Sequence, residues 1–322
     1  MNWGYLMRLH EENELFNDLV RSAAAAYGLQ NFQIEKDYYV SLLLKRLVSS
    51  FPGVVFKGGT SLSKCYDVIK RFSEDLDLSV PLGESKKLPR SEKKKLKIAI
   101  ESVIEDLGFS LLNPDGIRSG REFNEYEIAY RKVFEGDDEM SPHILVETNV
   151  AYKPFPFEQL GVSNYITKFV MAAEGDEEEK ERFLDEYEMR PFAANVQTID
   201  RTFLDKIFAI CDYYEKKEST RYSRHLYDLH MIEGSGFVDA AGLKLLIPEV
   251  IEIRRDGRDT ASCQPGYELI KTLNEIISTD FYKQDYNRNT KTFLAEDVSY
   301  EETIDSLKKI IDSDFLPTVI QI

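Results

Sequence analysis

A chain of 322 residues with a net charge of −16 repels polyanions over most of its surface, which excludes indiscriminate binding to nucleic acid. Three cysteines far apart and in no CxxC pairing exclude a disulfide framework and a structural zinc site. The N-terminus MNWGYLMRLHEENELF has no apolar core, and no stretch approaches the roughly 18 apolar residues of a membrane span. The expectation is a cytoplasmic protein of about two domains.

In chain order, Tyr39, Leu42, Leu43 and Leu47 share one face of a helix over 34–49. Val54, Val55 and Phe56 predict a short strand that Gly58-Gly59 breaks, and Thr60 or Ser61 is expected to cap a helix running to Ile69. From Asp75 to Val80 acidic and apolar residues alternate, which predicts a second strand; a helix follows over about 91–107 and is closed by Gly108. Residues 123–134 and 143–150 read as two further strands. The acidic run Glu174-Gly175-Asp176-Glu177-Glu178-Glu179 is expected to be a solvated connection, and 201–217, 223–233, 239–254, 266–279 and 300–312 read mainly as helices. The fold class is α+β: a small mixed sheet with helices over 1–170, then a mainly α-helical domain over 171–322.

The chemistry concentrates in 57–80, KGGTSLSKCYDVIKRFSEDLDLSV. Two residues apart on a strand, Asp75 and Asp77 point to one face, with backbones about 6–7 Å apart. Such a pair repels itself unless a cation or basic neighbour offsets the cost. The pattern fits a metal site and also an exposed edge strand with a wet acidic face. Gly58 and Gly59 let the backbone approach a ligand closely, and Thr60 and Ser61 add hydroxyl donors. It is not a Walker A loop, because Lys57 precedes the glycines. Glu147, inside the apolar run ILVETNV, reads either as a third ligand or base, or as a residue on the wet side of a half-buried strand. The cationic run Lys86–Lys97 reads as the solvated face of a helix or as a local contact for nucleic acid.

Five ordered segments, EKDYYV (35–40), KGGTSLSK (57–64), RFSEDLDL (71–78), DKIFAI (205–210) and SRHLYDL (223–229), resemble the AbiEii family of nucleotidyltransferase toxins. The resemblance runs from about residue 30 to 235, leaving the last ninety or so residues without a motif. It implies a nucleotidyltransferase fold that uses Mg2+ or Mn2+ to move a nucleoside monophosphate from an NTP to a hydroxyl. The implied acceptor is RNA, especially the tRNA 3′ end, with growth arrest as the outcome and a cognate antitoxin as a partner. It also implies roles: Gly58, Gly59, Thr60 and Ser61 as the nucleotide-phosphate loop and Asp75 and Asp77 as the metal pair; Glu147 resembles the third carboxylate on a later strand in the wider nucleotidyltransferase superfold, as a metal ligand or base. Lys206 would hold the triphosphate and Asp228 would be an essential acid. Lys57, Arg71, Ser73 and Arg224 stand inside the same motifs and join the nucleotide-binding candidates.

Many members carry Lys-Asp where this chain has Arg224-His225, so no role passes to His225. Without the resemblance, Lys206 reads as a snorkelling lysine, and Arg221 and Arg224 as partners for carboxylate or phosphate. A catalytically weak NTP-binding or partner-binding module, and a small-molecule nucleotidyltransferase, are the competing readings. The intact acid set counts against the first, and the ordered later motifs against the second.

Overall fold

The computed structural model describes residues 7–73, 75–82, 87–136, 141–151, 153–257 and 260–321. Two N-terminal helices, α1 (Asn13–Tyr27) and α2 (Asn31–Ser50), lead into β1 (Val55–Lys57), α3 (Gly58–Lys64) and β2 (Asp75–Ser79). Then come α4 (Arg90–Asp106), β3 (Ser110–Leu111), β4 (Phe123–Ala129), β5 (Ile144–Asn149), β6 (Phe157–Val162), α5 (Tyr165–Ala172), α6 (Glu177–Glu186) and β7 (Phe192–Gln197). The strands form one sheet in the order β3-β4-β5-β2-β1-β7-β6.

The acid-bearing strand β2 lies in the middle of the sheet, antiparallel to β1 and parallel to β5. Its alternation does what a period of two demands. Leu76 and Leu78 are fully buried in a core shared with α1, α2 and α4, while Asp75 and Asp77 are left on the opposite face.

Three strands go beyond the sequence expectation: β3, β6 and β7. Strand β7 pairs in parallel with β1, and β6 borders it as the edge, so the sheet continues to Gln197, past the expected boundary at 170. The first hydrophobic core ends at Val196, and the second begins at Ile199 with Leu62, Val68 and Ile69 added from the first half. The acidic run is likewise not a bare connection. It opens α6, where the Asp176 carboxylate accepts the Glu178 N–H at 2.8 Å. Three glutamates in a first turn suit the positive end of a helix, and Leu184 anchors the other side in the core.

Helix α3 starts at Gly58 itself, so Thr60 and Ser61 are buried inside it instead of capping it. It ends at Lys64, not Ile69, and Asp67 turns the chain through the left-handed region (φ 54°). Lys64 is buried against Asp37, with the Ser41 hydroxyl 2.7 Å away. This pairing accounts for the EKDYYV segment on α2. Glu35 accepts the Val133 and Phe134 N–H groups, Lys36 donates to the Ser141 carbonyl, and Asp37 holds Lys64 and the Tyr165 N–H. These charges are anchors between elements.

The second half is helical: α7 (Ile199–Glu215), α8 (Arg224–Ser235), α9 (Ala240–Arg255), α10 (Leu269–Ser278), α11 (Lys283–Arg288) and α12 (Tyr300–Asp312). It is sewn to the first half at 70–72. The Phe72 N–H donates to the Phe293 carbonyl, the Ala295 N–H donates to the Lys70 carbonyl, and Arg71 forms a β-bridge with Leu294. Among the described residues no helix is long and apolar enough to cross a membrane.

Candidate active site

Strand register builds a row of charges across the sheet. Lys57 on β1 lies opposite Asp77 on β2, Asp77 opposite Glu147 on β5, and Glu147 opposite Glu125 on β4. Residues in register share a face, so an ammonium flanks Asp77 on one side and a carboxylate on the other. Burial, then Asp77 and Asp75, push the Glu147 carboxyl up to about 7, with Lys57 pulling the other way. Glu147 can therefore take up or release a proton near neutral pH.

The two glycines make room for two different side chains. Gly58 has φ 79°, and a Cβ there would fall on the Asp77 carboxylate. A Cβ on Gly59 would lie 2.6 Å from the Arg71 guanidinium and 3.1 Å from the Ser73 hydroxyl. Ser73 in turn shares a 2.8 Å hydrogen bond with Thr60, and Ser61 donates to the Gly58 carbonyl at 2.8 Å. The hydroxyls of Thr60 and Ser61 thus fix the turn and orient Ser73.

Asp228, which is 0% exposed, is held by two cations. Arg71 donates to both of its oxygens, at 2.7 and 2.8 Å, and Lys206 donates to one at 2.7 Å. Burial alone would raise this carboxyl, but Arg71 and Lys206 outweigh it and hold the group well below the usual carboxylate range. Lys206 is not a snorkelling side chain. It is buried, fastened to Asp228, and exposed only along a cavity wall. His225 is kept neutral by burial and by the nearby Lys206 and Arg224 cations. Its Nδ1 has no hydrogen-bond partner among the described residues.

Two cavities flank this machinery. One, of about 420 Å³, is lined by Arg71, Ser73 and Arg224 together with residues from the helical half. The other, of about 500 Å³, is lined by Lys57, Gly58, Glu147, Lys206 and His225. Asp75 lies by the first through Arg224, 3.9 Å away, and Asp77 lies between Gly58 and Glu147. Asp228 is buried behind Arg71 and Lys206.

Sequence reasoning missed Arg288 in the first cavity, and Lys153, Arg201 and Arg254 in the second. Asp205 of the DKIFAI segment is structural. It receives Arg201 and Arg254 at 3.0 Å each and ties α7 to α9.

The three acids fit a hard cation by donor type but form no ready-made cage. Among the described residues no three acidic, histidine or cysteine side chains are gathered closely enough to hold a metal ion. Like charges on neighbouring strands have no reason to converge until a cation arrives.

The cationic run is placed less favourably for the site. Lys86 lies outside the described residues. Lys93, Lys95 and Lys97 have Glu122, Glu92 and Glu101 at 3.7, 2.8 and 3.4 Å. Helix α4 buries Leu96, Ile100, Val103 and Ile104 in the core that takes Leu76 and Leu78. It therefore backs the sheet face opposite the carboxylates.

An acid pair on a central strand with a third acid in register beside it, next to a glycine turn and a cationic wall, fits what a nucleotidyltransferase needs. Residues 42–312 match the family model of the nucleotidyl transferase AbiEii toxins of type IV toxin–antitoxin systems, and the chain belongs to that family. Membership implies an NTP substrate and a cognate antitoxin. Among solved structures the chain is similar to MenT4, a nucleotidyltransferase toxin from Mycobacterium tuberculosis H37Rv. The identity is 16% over 92% of this chain and 87% of that one, with a TM-score of 0.46. No curated protein matches the sequence.

Proposed function

We propose that the protein transfers a nucleoside monophosphate from an NTP to a hydroxyl of RNA in the cytoplasm, with the tRNA 3′ end as acceptor, and that this transfer is its toxic activity. The observation that carries the reading is the Lys57–Asp77–Glu147 row beside Gly58, with Glu147 pushed up to about 7. A general base is most useful when its pKa lies near the working pH, and Glu147 faces the cavity that an acceptor hydroxyl would enter. Glu147 accepts the hydroxyl proton, the oxygen attacks the α-phosphorus, and pyrophosphate leaves on the far side.

Mg2+ or Mn2+ would be held by Asp75 and Asp77, with Glu147 in register beside Asp77 as a third carboxylate, and would neutralise phosphate charge; such ions are commonly bound by one or two carboxylates plus substrate phosphates. This need for substrate oxygens matches three acids that are not gathered in advance. The remaining work is positioning. Gly58 and Gly59 bring the backbone up to the nucleotide, Ser73 offers a hydroxyl oriented by Thr60, and Asp228 sets Arg71 and Lys206 in place.

The test is incubation of the purified toxin with each α-labelled NTP, Mg2+ and total RNA. Label on RNA that is lost on 3′-end trimming is the expected result. Bound NTP without transfer to any acceptor would leave a binding module. Label found only on a small hydroxyl compound would make the protein a small-molecule nucleotidyltransferase. Either result overturns the RNA reading.

A further inference from the structure

The cavity behind Asp75 reaches into the part of the chain where no sequence motif lies. Four arginines line it, Arg71, Arg221, Arg224 and Arg288, and no aspartate or glutamate does among the described residues. In a chain with a net charge of −16, that is a strong local reversal of sign. Arg71 is already committed to Asp228, and Arg224 is shared loosely with Asp75. Arg221 and Arg288 make no ion pair among the described residues.

The two are nevertheless held in place. Arg221 occupies the left-handed region (φ 71°), an uncommon state for such a residue. Its N–H donates to the buried Asp285 at 2.9 Å. Asp285 also accepts from the Ser223 N–H and hydroxyl, and from the side chain of Asn289, the residue after Arg288. One buried carboxylate therefore pins both the turn that carries Arg221 and the helix end that carries Arg288. Its own charge is used up by these donors.

We propose that this cavity receives the triphosphate arm of the nucleotide, with Arg221, Arg224 and Arg288 holding its outer phosphates. The proposal rests on the nucleotidyl-transfer reading above and adds to it a role for the helical half. A triphosphate carries several charges in a short length, and guanidinium groups meet phosphate oxygens through paired N–H donors. A bounded space of about 420 Å³ suits a single nucleotide better than a strand. Arg71 and Ser73, which line it, also lie against Gly59, so a ligand there is separated from the glycine turn only by those two side chains. Lys206, to which the family resemblance gave the triphosphate, lines the other cavity and is fastened to Asp228.

The experiment is calorimetric titration, with Mg2+, of a non-hydrolysable NTP, its monophosphate, inorganic tripolyphosphate and an RNA acceptor. The proteins compared are the parent, Arg288→Ala, Arg221→Asn and the double variant. Asparagine tolerates the left-handed backbone, and the Arg288 side chain is exposed, so unchanged unfolding midpoints are expected for all. The double variant should lose at least about tenfold in affinity for the triphosphate and for tripolyphosphate, with monophosphate binding nearly unchanged. Arg288→Lys should retain part of the affinity. Parental triphosphate binding by the double variant overturns the proposal, and so does a loss confined to RNA, which would make this the acceptor's cavity. A parent that binds no nucleotide overturns the nucleotidyl-transfer reading along with it.

Discussion

Two carboxylate clusters stand side by side in this protein and are electrostatic opposites. Asp228 has two cations on one acid and is the better-buried group, yet its carboxyl is held far down. Asp75, Asp77 and Glu147 set three acids against Lys57 and the looser Arg224, and Glu147 is forced up to about 7. A satisfied buried charge is a structural device, because either partner left alone would be costly. An acid cluster under strain is a site that needs something the chain does not supply. Residue type alone does not separate the two; the number of cations per acid does, two for one acid in the first and two for three in the second.

The largest expected effect breaks the satisfied cluster. Asp228→Ala leaves two buried cations unpaired and should cost about 3–5 kcal/mol of stability, read by urea unfolding, with activity lost as well. An Asp228→Ala variant as stable as the parent would show that the two cations find other partners.

Next, Asp75→Ala and Asp77→Ala should each abolish transfer, by on the order of a hundredfold or more. Their unfolding midpoints should hold or rise slightly, since one of several repelling charges is gone. Normal transfer at ordinary Mg2+ would remove the pair from the metal-binding role.

The third effect is a pH dependence. Glu147 has a raised folded-state pKa, so folding favours its protonated form. The stability linked to that proton is present in full below the ordinary glutamate pKa, near 4.5, and is lost as pH rises toward about 7. After a discount for partial exposure this is about 2 kcal/mol. Glu147→Gln should flatten that part of the metal-free melting curve against pH. A curve with the same slope in both proteins would place the titration elsewhere.

The smallest expected effect concerns the cationic run. Lys93, Lys94 and Lys95 replaced by glutamate should reduce RNA modification by less than about tenfold, since α4 backs the other sheet face and two of the three lysines already have acidic neighbours. A larger defect that deepens with salt would return the run to the acceptor surface.

The acid-bearing strand was legible because alternation on a central strand is a local signal, and Asp75 and Asp77 emerged on one face as spacing requires. What failed was local signal that misled, or contact that is not local at all. Residues 157–162 mix polar and small residues without alternation and 192–197 alternate over only four residues; the first pairs with the second, and the second with the free side of β1. The acidic run looked like a linker until Asp176 capped a helix with it. Thr60 and Ser61 looked like caps because hydroxyl residues favour the N-cap, yet the helix opens at Gly58, which must be small to clear Asp77. Arg71 and Asp228 are 157 residues apart, and no spacing rule reaches that far. Arg288 is a single arginine on a short helix, and only the fold brings it to Arg224.

The seam at 70–72 bears on how such a gene can be silenced. Phe72 and Lys70 are hydrogen-bonded to Phe293 and Ala295, so the segment that delivers Arg71, Ser73 and the acid pair is clamped by chain synthesised more than two hundred codons later. A stop codon or frameshift between the last motif, which ends at Leu229, and that clamp would leave every sequence motif intact in the translated product while the segment at 70–72 lost its partner. In a toxin gene, escape mutations should therefore accumulate across the motif-free last ninety or so residues as readily as in the motifs themselves.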